Sequence, residues 1–145
     1  MEKYFIAYGT NINTSELSKA FPGIKILGYT YLYNYALEFV GFDGHAIATL
    51  VKKRGAKTPV AVWDFPEELR YTIANYESFP YLYKKIKVNV KIDRQKLAGV
   101  IYVTKQKLQH GAPSQEYLNI LKQGYKEAGF DESLIDTALQ QQPKD

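Results

Sequence analysis

Few residues of this 145-residue chain have the type and spacing for catalysis or metal binding. There is no cysteine, which excludes disulfides, thiolate catalysis, iron–sulfur clusters and cysteine zinc sites. The two histidines, His45 and His110, lie in glycine-containing, turn-like segments without metal-ligand spacing. Asp64, Glu67 and Glu68 are close in sequence, but the helix dipole alone favours carboxylates at a helix start. We therefore expect no metal site and no cofactor.

Glu77 is a candidate for acid–base chemistry because of its neighbours in the sequence. It lies in residues 76–83, which read YESFPYLY. Apolar and aromatic surroundings disfavour the charged form of a carboxyl group and raise its pKa. A glutamate with a raised pKa suits a general base near neutral pH. The alternative is a surface glutamate beside a turn, and for this segment taken alone that interpretation comes first.

The second candidate is the turn at Gly9. Residues 8–11 read YGTN and lie between a predicted buried strand and a predicted helix start. A glycine-containing turn before a helix exposes several backbone N–H groups in one direction, which suits a carboxylate or an oxyanion. The Gly-x-x-x-x-Gly-Lys pattern of nucleotide-binding loops is missing. A plain strand-to-helix turn remains the simpler interpretation of the spacing.

Strands and helices that would position these segments follow from the hydrophobic pattern. Apolar runs and period-two alternation predict strands at residues 3–8, 29–39, 46–51, 59–64, 84–92 and 98–104. Turns are predicted at residues 41–44 and 52–55. The order of strands and helices favours an α+β fold with a mixed, mostly antiparallel sheet, curled into a small barrel with flanking helices.

Helix boundaries are predicted from capping residues. A helix over residues 14–20 would have Asn13 as its N-cap, and a second helix would begin at Pro66. Two further helices are predicted at 114–128 and 132–140. Gly129 would end the first of these as C-cap, and Asp131 would begin the second as N-cap.

The 13 tyrosines and the formal charge of +4 suggest a nucleic-acid binder as a competing hypothesis. Stacking on aromatic side chains beside a basic groove is a known mode of binding single strands. The odd positions of residues 29–39, however, form an aromatic face that alternates like a buried one. The lysines of residues 84–92 lie on a different strand, and the net charge is modest. We therefore expect no nucleic-acid partner.

Length and composition predict a single domain over residues 1–145, with a frayed tail at 140–145. About 100–200 residues make one domain, and 46% hydrophobic with 23% charged residues is ordinary for a globular protein. The N-terminal apolar stretch is too short for a signal peptide, and no apolar run reaches the length of about 20 residues that spans a membrane. We expect a cytoplasmic protein that does not enter a membrane.

Three segments in order along the chain resemble the γ-glutamylcyclotransferase-like family. Residues 4–11, YFIAYGTN, are similar to the family's opening segment with Tyr-Gly-Ser-Asn. Residues 60–64, VAVWD, followed by 76–85, YESFPYLYKK, resemble its strand, helix and Tyr-Glu-Gly-x-Pro-x-x-Tyr stretch. Residues 113–118, PSQEYL, with Gly124 and Tyr125, resemble its closing segment.

The resemblance implies a small curled sheet surrounded by helices, with a cavity that opens near residues 8–11. It implies an enzyme that cleaves γ-glutamyl compounds to 5-oxoproline and a free amine without a cofactor. In this sequence the family's catalytic glutamate falls on Glu77. Its substrate-binding loop falls on Tyr8, Gly9, Thr10 and Asn11, and its following tyrosine falls on Tyr83.

The implied reaction suits these residues because the α-amine of the substrate attacks the γ-carbonyl of the same molecule. Glu77 would take a proton from the α-ammonium and deliver one to the leaving amine. The loop N–H groups would hold the substrate carboxylate or the oxyanion, and Tyr83 would bind the substrate or orient Glu77. Thr10 replaces the commoner serine. Ser78 replaces a glycine, which motivates the alternative of a non-catalytic domain of the same fold that binds small carboxylates.

Overall fold

A computed structural model describes residues 4–64, 82–105 and 107–143. Its strands are β1 (Tyr4–Ala7), β2 (Lys25–Val40), β3 (Ile47–Asp64), β4 (Tyr83–Ile92) and β5 (Gln95–Thr104). Its helices are a 3-10 turn (Thr10–Ile12), α1 (Thr14–Ala20), α2 (Gln115–Ala128) and α3 (Ser133–Gln141). Both Glu77 and the helix predicted from Pro66 lie outside the described residues.

The strands form one sheet in the order β2-β3-β1-β5-β4. β1 runs antiparallel to β3 and parallel to β5, while β2 with β3 and β4 with β5 are antiparallel pairs. The predicted α+β fold with a mixed, mostly antiparallel sheet is confirmed. The sheet curls until its edges touch, where the Thr30 hydroxyl donates to the Lys91 carbonyl at 2.8 Å. Within the described strands no ladder joins β2 to β4, so the curled sheet is not a closed barrel.

The two strands predicted at 46–51 and 59–64 are one long strand, β3. The predicted turn at 52–55 is therefore wrong. β3 pairs with β2 up to Lys52 and again from Lys57, so the chain bulges between them instead of reversing. A glycine after three basic residues is typical of a turn. A bulge is distinguished from a turn only by the pairing of the residues on both sides with the same partner strand.

This bulge also interrupts the predicted aromatic face of β2. Opposite the extra residues lies Asn34, which has a φ of 70°. Gly55 has a φ of 86°, and its N–H donates to the Asn34 side-chain oxygen at 3.1 Å. Just before the bulge, Leu32 is buried and Tyr33 is 63% exposed. The expectation of one continuous inner face is wrong at Tyr33, because an irregular pairing offsets the pleat.

The first helix is capped as predicted. The Asn13 side chain accepts hydrogen bonds from the backbone N–H groups of Ser15 and Glu16. Its amide nitrogen also donates to the carbonyl of Ile120 at 3.1 Å. Asn13 is buried, so this one side chain both starts α1 and fastens it to α2.

The caps of the C-terminal helices also follow the sequence. Gly129 ends α2 in the left-handed region with a φ of 84°. Glu132 occupies the N-cap position of α3, one residue past the predicted N-cap. The side chain that caps the helix is still that of Asp131, whose carboxylate accepts from the Ser133 N–H at 2.9 Å. This bond lowers the pKa of Asp131.

The tail predicted to fray from residue 140 is held at its start. α3 continues to Gln141. The side chain of Gln142 accepts from the Phe39 N–H at 2.8 Å and donates to the Gly111 carbonyl at 3.2 Å. Fraying is thus wrong for residues 140–142, because two backbone groups of the sheet region bind the glutamine.

The core lies between the sheet and α2. Its largest fully buried side chains come from β1, β2, β3, β5 and the helices, and include Ile6, Phe39, Trp63, Ile101, Leu121, Tyr125 and Ile135. In the described ranges, no helix has both the length and the apolar character needed to cross a membrane.

Candidate functional site

A cavity of about 130 Å³ opens where β1 ends. Its described lining consists of residues 5–11, Ile47 and Ala48 from β3, Tyr83 from β4, Tyr102 from β5 and Tyr117 from α2. All of the described residues predicted for a substrate site therefore lie around one space: Tyr8, Gly9, Thr10, Asn11 and Tyr83. Tyr83 is distant from the other four in sequence, and the curled sheet brings it to them.

The loop at the cavity forms because β1 is a short central strand that runs directly into a 3-10 turn. The Ile12 N–H donates to the Gly9 carbonyl at 2.9 Å, and the Asn13 N–H donates to the Thr10 carbonyl at 3.0 Å. These bonds use the carbonyl groups of the turn. No backbone carbonyl of the described chain accepts from the N–H groups of Gly9 and Thr10. Such N–H groups at a turn are suited to an anion.

Two contacts fix the position of the loop and the 3-10 turn that follows it. The indole N–H of Trp63 donates to the Asn11 carbonyl at 3.2 Å. α2 approaches so closely at Gly124 that an added Cβ would lie 2.8 Å from Ile12 Cγ2 and 2.9 Å from the Asn13 nitrogen. A side chain larger than hydrogen has no room there. The position of the loop is thus set by β3 on one side and α2 on the other.

Tyr8 takes part in the fold through its hydroxyl. The Tyr8 O–H donates to the Tyr102 carbonyl at 2.5 Å, and both residues are buried. A phenol has one proton to donate, and this bond uses it. Tyr8 therefore contributes its ring and its backbone to the cavity wall.

Tyr102 and Tyr117 line the cavity but were not among the predicted site residues. The Tyr117 hydroxyl accepts from the Ala48 N–H at 2.9 Å. It would lie 3.7 Å from a Cβ built on Gly9, which places it beside the loop. For Tyr117 a signal existed, since it falls in the segment 113–118 that resembles the family's closing segment. For Tyr102, in an apolar strand, there was none.

None of the described residues that line the cavity carries a charge. A group that exchanges protons near neutral pH would have to come from elsewhere, and the candidate, Glu77, lies outside the described residues. In the described part of the chain, no cluster of three or more histidine, aspartate or glutamate side chains is arranged to hold a metal ion.

Comparisons with known proteins bear on the fold and the family. A family model described as the AIG2-like family matches residues 59–137. A structure titled gamma-glutamyl cyclotransferase superposes with a TM-score of 0.83 at 19% identity, covering 98% of this chain and 88% of its own. An uncharacterised Homo sapiens protein gives a TM-score of 0.82 at 21% identity, with coverages of 99% and 90%.

A yeast gamma-glutamyl cyclotransferase specific to glutathione is more distant, with a TM-score of 0.62 at 14% identity and coverages of 94% and 93%. No curated protein sequence matches the chain. At these identities the structural likeness establishes the fold. The family resemblance found in the sequence is confirmed.

Proposed function

Because the chain belongs to the AIG2-like family, we propose that it is a γ-glutamyl cyclotransferase that releases 5-oxoproline and an amine from a γ-glutamyl amide. One observation carries the proposal. The loop of residues 8–11 and the distant Tyr83, which match the family's substrate-binding positions, line the same cavity. A solved structure with this fold also belongs to a gamma-glutamyl cyclotransferase.

In the proposed reaction the substrate supplies its own nucleophile. Its α-amine nitrogen forms a bond to the γ-carbonyl carbon, and the amide bond to the leaving amine breaks. The α-ammonium nitrogen gives up two protons to become the lactam N–H, and the departing nitrogen gains two and leaves as an ammonium group, so the reaction is proton-neutral near neutral pH. Closing a five-membered ring inside one molecule depends on holding both ends close together, which a small cavity favours.

Glu77 is proposed to carry protons between the two nitrogens. It precedes Tyr83 by six residues, so the covalent chain keeps their Cα atoms within about 20 Å of each other. Since the described lining is uncharged, a carboxylate brought to it would meet mostly aromatic and aliphatic groups. Such surroundings raise the pKa of a carboxyl group and make it a better base near neutral pH.

The N–H groups of Gly9 and Thr10 are proposed to bind the negative charge of the substrate. This charge is either the α-carboxylate or the oxygen of the γ-carbonyl as the nitrogen attacks it. Backbone donors fixed in advance stabilise a developing oxyanion without reorganisation. The bonds from Trp63 and the close packing at Gly124 provide that fixed position.

The test is to incubate the protein with glutathione, γ-glutamyl dipeptides and γ-glutamylamines and to measure 5-oxoproline. We expect Glu77→Gln to lower kcat by about 100-fold or more, the usual contribution of a general acid–base group. Glu116→Gln, which removes an exposed carboxylate at the start of α2, is the matched control and should turn over normally. Normal turnover by Glu77→Gln would show that Glu77 is wrongly assigned.

A non-catalytic domain that binds small carboxylates is the second candidate. Ser78 favours it, because this serine follows Glu77 where the family has a glycine. If the position requires a positive φ, serine adopts it only at a cost. This candidate predicts a thermal shift with glutamate or 5-oxoproline and no 5-oxoproline from any of the γ-glutamyl compounds.

A further inference from the structure

A second and larger cavity, of about 420 Å³, lies between α3 and the bulged part of β2 and β3. It shares no lining residue with the cavity at residues 8–11. We call it the α3 groove. Part of its wall is apolar and consists of Ala36, Leu37, Pro59, Leu134 and Ala138. Its volume is in the range of about 300–1,000 Å³ that is usual for small-molecule sites.

Tyr125 lines the groove and is fully buried. Its ring packs at an angle against Phe130, with 5.9 Å between the centroids. Within the described chain, its hydroxyl oxygen is the buried side-chain polar atom without a hydrogen-bond partner. Burial raises the pKa of this hydroxyl above its ordinary value, so it remains a neutral donor. A phenylalanine would pack in the same way without burying an unpaired polar group.

Two lysines form the part of the α3 groove that suits an anion. Lys57 lies with its ammonium 4.3 Å from the centre of the Tyr31 ring, and Lys53 lines the groove beside it. Neither lysine forms an ion pair with a carboxylate of the described chain. A ligand that approaches these two ammonium groups therefore does not have to displace an internal acidic partner.

The two carboxylates of the groove are already bonded. Glu38 lies 2.6 Å from the His110 ring nitrogen Nε2. Asp131 accepts from the Ser133 N–H at the start of α3.

A hydrogen bond stabilises the charge of a carboxylate and does not remove it, so the part of the groove that suits an anion is the part formed by Lys53 and Lys57. Along β2, Glu38 lies five residues from Tyr33, the register partner of Lys57. The groove therefore offers two cationic groups and an apolar wall, and the buried Tyr125 is part of its lining.

We propose that the α3 groove is a second ligand site, which binds a small carboxylate with an apolar body. The carboxylate lies at Lys53 and Lys57, and the apolar body lies against Leu37, Leu134 and the other apolar wall residues. The Tyr125 hydroxyl supplies a hydrogen-bond donor at the base. This inference does not depend on the proposed cyclotransferase activity, since the two cavities are separate.

The test is a titration of the full-length, ¹⁵N-labelled protein with 3-phenylpropionate, followed by amide chemical shifts. 3-Phenylpropionamide has the same apolar body without the charge and serves as the ligand control. We expect saturable shifts around Lys57, Tyr125 and Leu134, with the amide binding about tenfold more weakly. No binding, equal binding of the amide, or shifts confined to residues 8–11 would overturn the proposal.

Variants separate the groove from general charge effects. Lys53→Gln combined with Lys57→Gln should weaken 3-phenylpropionate by about tenfold, the loss expected for a charge-assisted contact. The matched control combines Lys91→Gln with Lys96→Gln, at two exposed lysines outside the groove. It should leave the affinity for 3-phenylpropionate unchanged. An equal loss in both double variants would contradict the assignment.

Tyr125→Phe tests the unpaired hydroxyl. We expect the variant to melt at the same temperature as the wild type or higher, because no bond to the described chain is lost. We also expect weaker binding of 3-phenylpropionate. A clear fall in melting temperature would show that the hydroxyl has a partner within the fold. Unchanged affinity would show that the hydroxyl does not contact the ligand. Either result would contradict its place in the proposed site.

Discussion

At the scale of single residues, three tyrosine hydroxyls illustrate how one side-chain type takes different roles. Tyr8 donates to a buried carbonyl of β5, and Tyr117 accepts from the Ala48 N–H of β3. Tyr125 is buried without a partner in the described chain. The ring of a tyrosine packs like that of a phenylalanine. Whether its hydroxyl donates, accepts or has no partner depends on which strand or helix lies opposite.

Gly9→Ala tests the loop at this scale. An added methyl would lie 3.7 Å from Ala48 Cβ and from the Tyr117 hydroxyl, which is ordinary contact, and the φ of Gly9 is −98°. We expect the free energy of unfolding to stay within about 1 kcal/mol of wild type. Turnover of γ-glutamyl compounds should fall by about 10- to 100-fold, because the methyl occupies the cavity and displaces the substrate.

Thr10→Ser is the matched control for the Gly9 variant. It keeps a hydroxyl and the same backbone, and should retain both stability and 5-oxoproline formation. Chemical denaturation and the turnover assay are run on both variants. Full activity of Gly9→Ala would mean that the substrate does not contact this part of the cavity wall.

At the scale of elements, the packing of α2 on the 3-10 turn connects the C-terminal helices to the loop at the cavity. Gly124 is the point of closest approach, and Asn13 bonds both α1 and α2. The loop is therefore supported by a helix more than 100 residues later in the chain. The bulge in β3 has a similar role for the α3 groove, since residues that it contains line that groove.

Gly124→Ala should destabilise the protein although alanine favours helices by about 1 kcal/mol over glycine. The added Cβ would lie within 3.0 Å of backbone atoms of Asn13, which cannot rotate away. We expect a net loss of about 1–3 kcal/mol in the free energy of unfolding, the usual cost of overpacking. Gln123→Ala, on the exposed face of α2, is the control and should have little effect. A stabilised Gly124→Ala would contradict the close approach.

At the scale of the whole molecule, the sheet order decides where both cavities lie. The short strand β1 is central, so its end is surrounded by β3, β5 and α2. The curl that brings β2 near β4 leaves space at the other end of the β2–β3 pair for α3. One curled sheet with helices packed on it thus keeps these two cavities separate.

The free energy of unfolding at alkaline pH tests the burial of Tyr125 in the folded protein. Burial raises its pKa in the folded protein above the value of about 10 in the unfolded chain. Its contribution to stability is therefore complete below pH 10 and is lost as the pH rises above it. The expected loss is at most about 1.4 kcal/mol per pH unit from this group.

Denaturation curves from pH 8 to about pH 11 measure this loss. The range stops at about pH 11 because ordinary tyrosines ionise near that pH. Tyr125→Phe should flatten the alkaline decline relative to wild type. Tyr33→Phe removes a hydroxyl from a side chain that is 63% exposed, and its pH profile should match that of wild type. Parallel profiles for Tyr125→Phe and wild type would mean that Tyr125 ionises equally in the folded and unfolded chain.

The sequence by itself determined the features that depend on near neighbours. The Asn13 cap, the Gly129 cap and the alternation of β4 were predicted, because capping bonds and strand pleats repeat over a few residues. The fold class also followed from the order of predicted strands and helices, and the family followed from the resemblance of three segments to it. Residues 8–11 and Tyr83 were chosen by resemblance, and their assignment to a substrate site stays a prediction.

Tertiary structure alone decided which distant residues meet. It joined two predicted strands into one around a bulge, exposed Tyr33, and brought Tyr102 and Tyr117 to the cavity. It also left the Tyr125 hydroxyl unpaired within the described chain beside the α3 groove. The physical reason is that a bulge, a buried hydroxyl and a cavity wall are defined by the partner strand or helix, and a local stretch of sequence does not specify that partner.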